Sequence, residues 1–229
     1  KKVIELSLTE AKDLKVKLLG FDFTEEEMSF WQKDMIEKLN AAVKYYEEQK
    51  QSLDDKEKAI DLGTIKTAAQ EFKNWREENY LGASSQINDF LLISEESQAV
   101  QTTKKRFQKI NDDVQKIQRT KTRNELNKFL SRADKLLKEG EQMNKDAENL
   151  FREKYIVIPE EKTVVSTSSA LESIEIKNTS TTNVESEATS TDLIPTLSIK
   201  DLVKGSLVNL KGAYQIFIEM SNYVRKLLK

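Results

Sequence analysis

The chain contains no cysteine and no histidine, and among its 229 residues there are only 2 prolines and 6 glycines. Without cysteine there are no disulfides, no thiolate metal ligands and no thiol nucleophile. Without histidine the usual acid–base group at neutral pH, the triad base and the imidazole metal ligand are lost together. The di-iron pattern of four-helix bundles needs Glu-x-x-His twice and cannot be written with these residues. No Gly-rich phosphate loop, nucleophile elbow or calcium loop occurs in the sequence. No apolar run approaches the roughly 20 residues that a membrane span requires. The formal net charge of −2 gives no global field that would recruit nucleic acid or an anionic membrane. These absences point away from an enzyme; no cofactor, no metal and no small-molecule substrate is expected.

What is abundant is helix-forming and charged. Charged residues make up 33% and apolar residues 38%, which with so little Gly and Pro describes long solvated helices. Two stretches place apolar residues at alternating spacings of three and four. The first runs Ile93, Val100, Thr103, Phe107, Ile110, Val114, Ile117; the second runs Leu126, Phe129, Ala133, Leu136, Gly140, Met143, Ala147, Leu150. This spacing keeps one stripe turned toward a partner helix over many turns and predicts an antiparallel hairpin, 85–118 with 122–154. Leu130, Leu137 and Phe151 widen the second stripe, so the hairpin is expected to serve more than one neighbour. Small residues recur at Ala133, Gly140 and Ala147, where another backbone could come close.

The fold class read from this pattern is all-α: an elongated antiparallel helical bundle with a coiled-coil-like hairpin. Before the hairpin, Ser7 with Glu10 marks a helix over about 8–19 that stops at Gly20. Thr24 with Glu27 marks a second helix reaching about Gln51. Asp54–Asp61 reads as a weak turn broken at Gly63. Thr64 then opens a helix with Ile65, Ala68, Ala69, Phe72 and Trp75 on one face, and Leu81–Ser85 interrupts it. Thr122 with Glu125 caps the second arm of the hairpin. The two prolines, Pro159 and Pro195, bracket a tract rich in Ser, Thr, Glu and Asn, read as a disordered linker over 156–197. Ser198 and Asp201 then open a C-terminal amphipathic helix. The organisation expected is a bundle over 1–155, a linker over 156–197 and a docking helix over 198–229.

Two sets of residues are candidates for function. Basic side chains crowd the hairpin tip, where Lys104, Lys105, Arg106, Arg119, Lys121 and Arg123 could contact anionic groups. In the last helix, Leu202, Leu207, Leu210, Phe217, Met220 and Leu227 form an apolar face suited to docking on a partner. Paired acids such as Glu95-Glu96 diverge by about 100° on a helix and read as solvated surface. Trp31 and Trp75 fall on the apolar stripes of their helices and read as core. The expected role is a non-enzymatic scaffold or interaction module that binds a protein partner or itself through helices. The alternative is a binder of an anionic polymer or membrane surface through the hairpin tip and last helix, with peripheral membrane contact and nucleic acid the less expected ligand. The absent initiator Met and the Ser/Thr-rich tract lean toward an exported or cell-surface protein.

Overall fold

A computed structural model describes residues 1–55, 61–156 and 197–227. Among them six helices form an all-α fold: α1 (Lys2–Leu19), α2 (Glu26–Asp55), α3 (Leu62–Asn79), α4 (Leu81–Gln115), α5 (Thr120–Tyr155) and α6 (Ile199–Leu227). From 157 to 196, the tract read as a linker lies outside the described residues.

Several helices begin earlier than their cap signals indicate, and in α1 burial extends the helix. α1 starts at Lys2, and its buried stripe Ile4, Ser7, Ala11, Leu14 and Leu18 runs straight through the expected cap, leaving Ser7 inside the helix. Gly20 closes it as expected. α3 starts at Leu62, capped by Asp61, whose carboxylate accepts the Thr64 N–H at 2.8 Å. Gly63 therefore lies in the first turn of α3, and residues 56–60 of the weak turn expected before it lie outside the described residues. The expected interruption at Leu81–Ser85 is the opening of α4, where Ala83, Ser84 and Ile87 are buried; only Tyr80 separates it from α3. α5 begins at Thr120, two residues before the expected cap at Thr122. At α6 the capping box forms: Ser198 Oγ accepts from Asp201 N and Asp201 Oδ2 accepts from Ser198 N, each at 3.2 Å.

α4 and α5 run antiparallel, as Ser97 with Glu148 and Lys104 with Glu141 show. The flanks of α5, however, divide their neighbours differently from the sequence reading. Its buried line is Leu126, Leu130, Ala133, Leu137, Gly140, Asn144, Ala147 and Phe151. The flank carrying Asn144 and Phe151 meets α4, through Ser97 and Phe90. Phe129, Leu136 and Met143, expected in the α4 seam, lie half-buried against α6, where they meet Tyr223, Gly212 and Gly205. The small residues of α5 likewise admit α6. A Cβ added to Gly140 would stand 3.3 Å from the Ser206 carbonyl oxygen, and one on Gly205 would stand 2.8 Å from Met143 Sδ. Glycine here allows close backbone approach, which outweighs its cost of about 1 kcal/mol in helix propensity.

The two ends of the α4–α5–α6 assembly are covered differently. At one end Ile87 and Ile93, Ala147 and Phe151, and Ile199 and Val203 share a core with α1 and α2, built around Met28, Trp31, Met35 and Leu39. Trp31 is buried there, edge-on to Phe151, with its indole N–H donated to Gln86. At the other end Val114, Leu126, Leu130, Ala213, Phe217 and Met220 form a core from α4, α5 and α6 alone. The expected stripe of α3 holds only from Phe72 onward: Trp75 is half-buried and stacks on Tyr45 at 3.8 Å, whereas Ile65 is 48% exposed.

Candidate functional site

α6 lies antiparallel to α5 and parallel to α4, meeting α4 through Glu96–Ser206 at one end and Phe107–Phe217 further on. Its glycine-mediated approach to α5 draws it to that side, and the seam with α4 stays open as a groove. A hollow of about 1150 Å³ lies between Ile110, Val114 and Ile117 of α4 and Tyr214, Phe217 and Val224 of α6, with Leu126 of α5 also lining it. A second of about 480 Å³ continues it past Tyr214 toward Ala99, Thr103 and Leu207. Ile218 stands at the groove 55% exposed, next to Phe217, which is 6% exposed, so a single helix turn carries both a core face and an open one.

The edges of the groove are cationic. Lys105, Arg106 and Lys109 line it from α4, and Lys211 and Arg225 line it from α6; Asp113 is the acidic side chain among the groove residues. Asp113 already pairs with Lys116 at 3.0 Å. Arg106 lies over the Tyr214 ring, 5.4 Å from its centroid. Among the described residues Lys105, Lys109, Lys211 and Arg225 make no ion pair.

Of the basic candidates, the structure gathers only Lys105 and Arg106 at this groove. Lys104 turns instead to α5 and holds Glu141 at 2.9 Å, keeping that carboxyl below its ordinary pKa. Arg119 is the N-cap of α5, and Lys121 and Arg123 lie in its first turn, roughly 15 Å along the hairpin from Lys104–Arg106 at 1.5 Å per residue. Of the docking candidates, Leu202, Leu210, Phe217 and Met220 are buried within this chain. Leu207 and Leu227 are each 46% exposed: Leu207 lies off the line Ile199, Val203, Ser206, Leu210, Ala213, Phe217, Met220 that α6 buries, and Leu227 continues that spacing into the last turn, beyond the buried residues.

A buried polar contact went unread in the sequence. Glu96, expected on the solvated surface, is 2% exposed. The spacing Ile93, Glu96, Val100 places it on the buried stripe, as Val203, Ser206, Leu210 does for Ser206; that spacing was the available signal. Ser206 Oγ lies 2.5 Å from Glu96 Oε1 and 2.7 Å from the Gly140 carbonyl oxygen. Serine has one hydroxyl hydrogen for these two acceptors, so a protonated Glu96 satisfies the set by donating to Ser206, which donates to Gly140. Burial indeed pushes the Glu96 carboxyl up, against a smaller downward pull from the Ser206 hydroxyl. Glu96 Oε2 finds no partner among the described residues. With one carboxyl and one hydroxyl sealed between three helices, this contact ties α4, α5 and α6 together and offers no access to a substrate.

No group of three metal-ligating side chains converges among the described residues, and no described helix is long and apolar enough to cross a membrane. No protein-family model matches the chain, and neither a curated protein nor a solved structure matches it significantly.

Proposed function

We propose that the protein is a non-enzymatic helical interaction module, and that the α4–α6 groove is its binding face. One observation carries this reading: an open apolar trough runs beside a closed core on the same three helices, and Ile218 and Leu207 stand exposed along it. Exposed apolar residues gathered in a concave surface mark binding sites more often than ornament on a monomer. The composition supports the absence of catalysis, since neither His nor Cys is available for acid–base or nucleophilic work.

A display library of helical peptides, selected on the immobilised full chain, tests this reading. Binders are expected to enrich and to lose binding when Ile218→Glu is introduced. Binders that tolerate that change equally well would place the face elsewhere.

A second reading has its own observation. Arg119, Lys121 and Arg123 at the hairpin tip make no ion pair among the described residues and could hold an anionic surface. Retention on heparin or anionic vesicles that disappears when Arg119, Lys121 and Arg123 are neutralised would favour it.

A further inference from the structure

We propose that the occupant of the α4–α6 groove is an acidic amphipathic helix of a partner protein, laid along α4 and α6 as a fourth helix. This rests on the reading of the chain as an interaction module and adds the chemistry of what it binds.

Shape comes first. Where α1 and α2 cover α4, the core is complete; toward the hairpin tip the core is built by three helices, and the groove is left along α4 and α6. The apolar lining from Ala99 to Ile117 spans roughly 27 Å at 1.5 Å per residue, the length of a helix of about 18 residues. A helix presenting residues at i, i+3, i+4 and i+7 fits such a trough.

Charge selects the kind of helix. Lys105 and Lys109 stand one turn apart on the α4 edge, with Lys211 and Arg225 on the α6 edge. A helix seated between them meets cations on both sides of its apolar stripe. Glu or Asp flanking the stripe on both sides complements this; Lys or Arg there would face like charge. A membrane is a poorer match, because the apolar lining is recessed between two helices rather than presented to a plane. A nucleic acid would want free ring faces, yet Phe107 packs near Phe217, Phe129 near Tyr223, and Tyr214 is covered by Arg106.

The test uses the full chain and two labelled synthetic helices of about 18 residues. Both carry the same Leu stripe; one is flanked by Glu and its twin by Lys. Fluorescence anisotropy is expected to show saturable binding of the Glu peptide, weakening as salt rises. The combined variant Lys105→Glu, Lys109→Glu, Arg225→Glu should weaken it by at least about tenfold. Ile218→Glu should also weaken it, with helical circular dichroism and melting temperature unchanged, since that side chain is exposed. Equal binding of the Lys-flanked twin would overturn the acidic-helix inference and leave the interaction-module reading standing. Binding of neither peptide overturns the inference; if phosphatidylserine vesicles or heparin bind instead, the module reading falls with it. Concentration-dependent self-association that Ile218→Glu abolishes would make a second copy the occupant, which also overturns the inference.

Discussion

α6 has two long neighbours and meets them in opposite ways. Against α5 it closes completely: Gly205 and Gly212 receive Met143 and Leu136, and Gly140 receives the Ser206 backbone. Against α4 it leaves a groove lined by Ile110, Ile117, Tyr214 and Ile218. Both seams have apolar residues at helical spacing, so hydrophobicity alone does not separate them. Distance does. Small residues on α5 and α6 bring two backbones together, and a helix drawn to one side cannot equally fill the other. A closed seam provides stability and an open one provides a binding face.

The largest break in that comparison should come from the closed side. Phe217→Ala would leave a cavity among Phe107, Ala213 and Met220, and should lower unfolding free energy by about 3–5 kcal/mol in urea titrations. Gly140→Leu should follow, at about 1–3 kcal/mol or more, because the atom nearest the added Cβ is the Ser206 carbonyl oxygen on a backbone that has little room to yield.

Glu96→Gln sharpens the comparison through pH. The folded-state pKa of Glu96 is raised, so its contribution to stability is complete below the ordinary carboxylate value of about 4.3 and is lost as pH rises through the folded value. The natural chain should therefore lose stability relative to Glu96→Gln on going from pH 4 toward neutrality, as followed by thermal melts. Equal slopes for the two proteins would mean that Glu96 reaches water in the folded state. The smallest effect belongs to the open side: Ile218→Glu, one residue from Phe217, should change stability by no more than about 0.5 kcal/mol.

Much of this architecture is legible in the sequence. The 3–4 spacing gives the helices of the hairpin, Ser198 and Asp201 give the start of α6, and Gly20 gives the end of α1. Which neighbour each flank faces is not legible, because residues at 129, 136 and 143 satisfy a heptad toward either α4 or α6. Only the position of α6 decides, and Gly205 and Gly212 are the sequence features that fix it, by admitting side chains from α5. Glu96 and Ser206 were masked by their polarity: a residue-type rule sends them to the surface, while spacing sends them to the core. Of the six basic candidates around the tip, four lie elsewhere than the groove: Lys104 turns to Glu141 of α5, and sequence proximity does not separate the α4 edge from the N-cap and first turn of α5 that carry Arg119, Lys121 and Arg123.

α6 is docked in this chain by one face and open along the other. The absence of cysteine makes single-thiol labelling a direct test. Single variants Leu207→Cys, Ile218→Cys, Ser206→Cys and Ala213→Cys would be reacted with a disulfide reagent at a concentration where the chain is monomeric. Thiols introduced at 207 and 218 should react at the rate of an unfolded control. Thiols at 206 and 213 should react only through opening of the bundle, orders of magnitude more slowly. Equal rates at all four positions would show that α6 is not held to the bundle by one face.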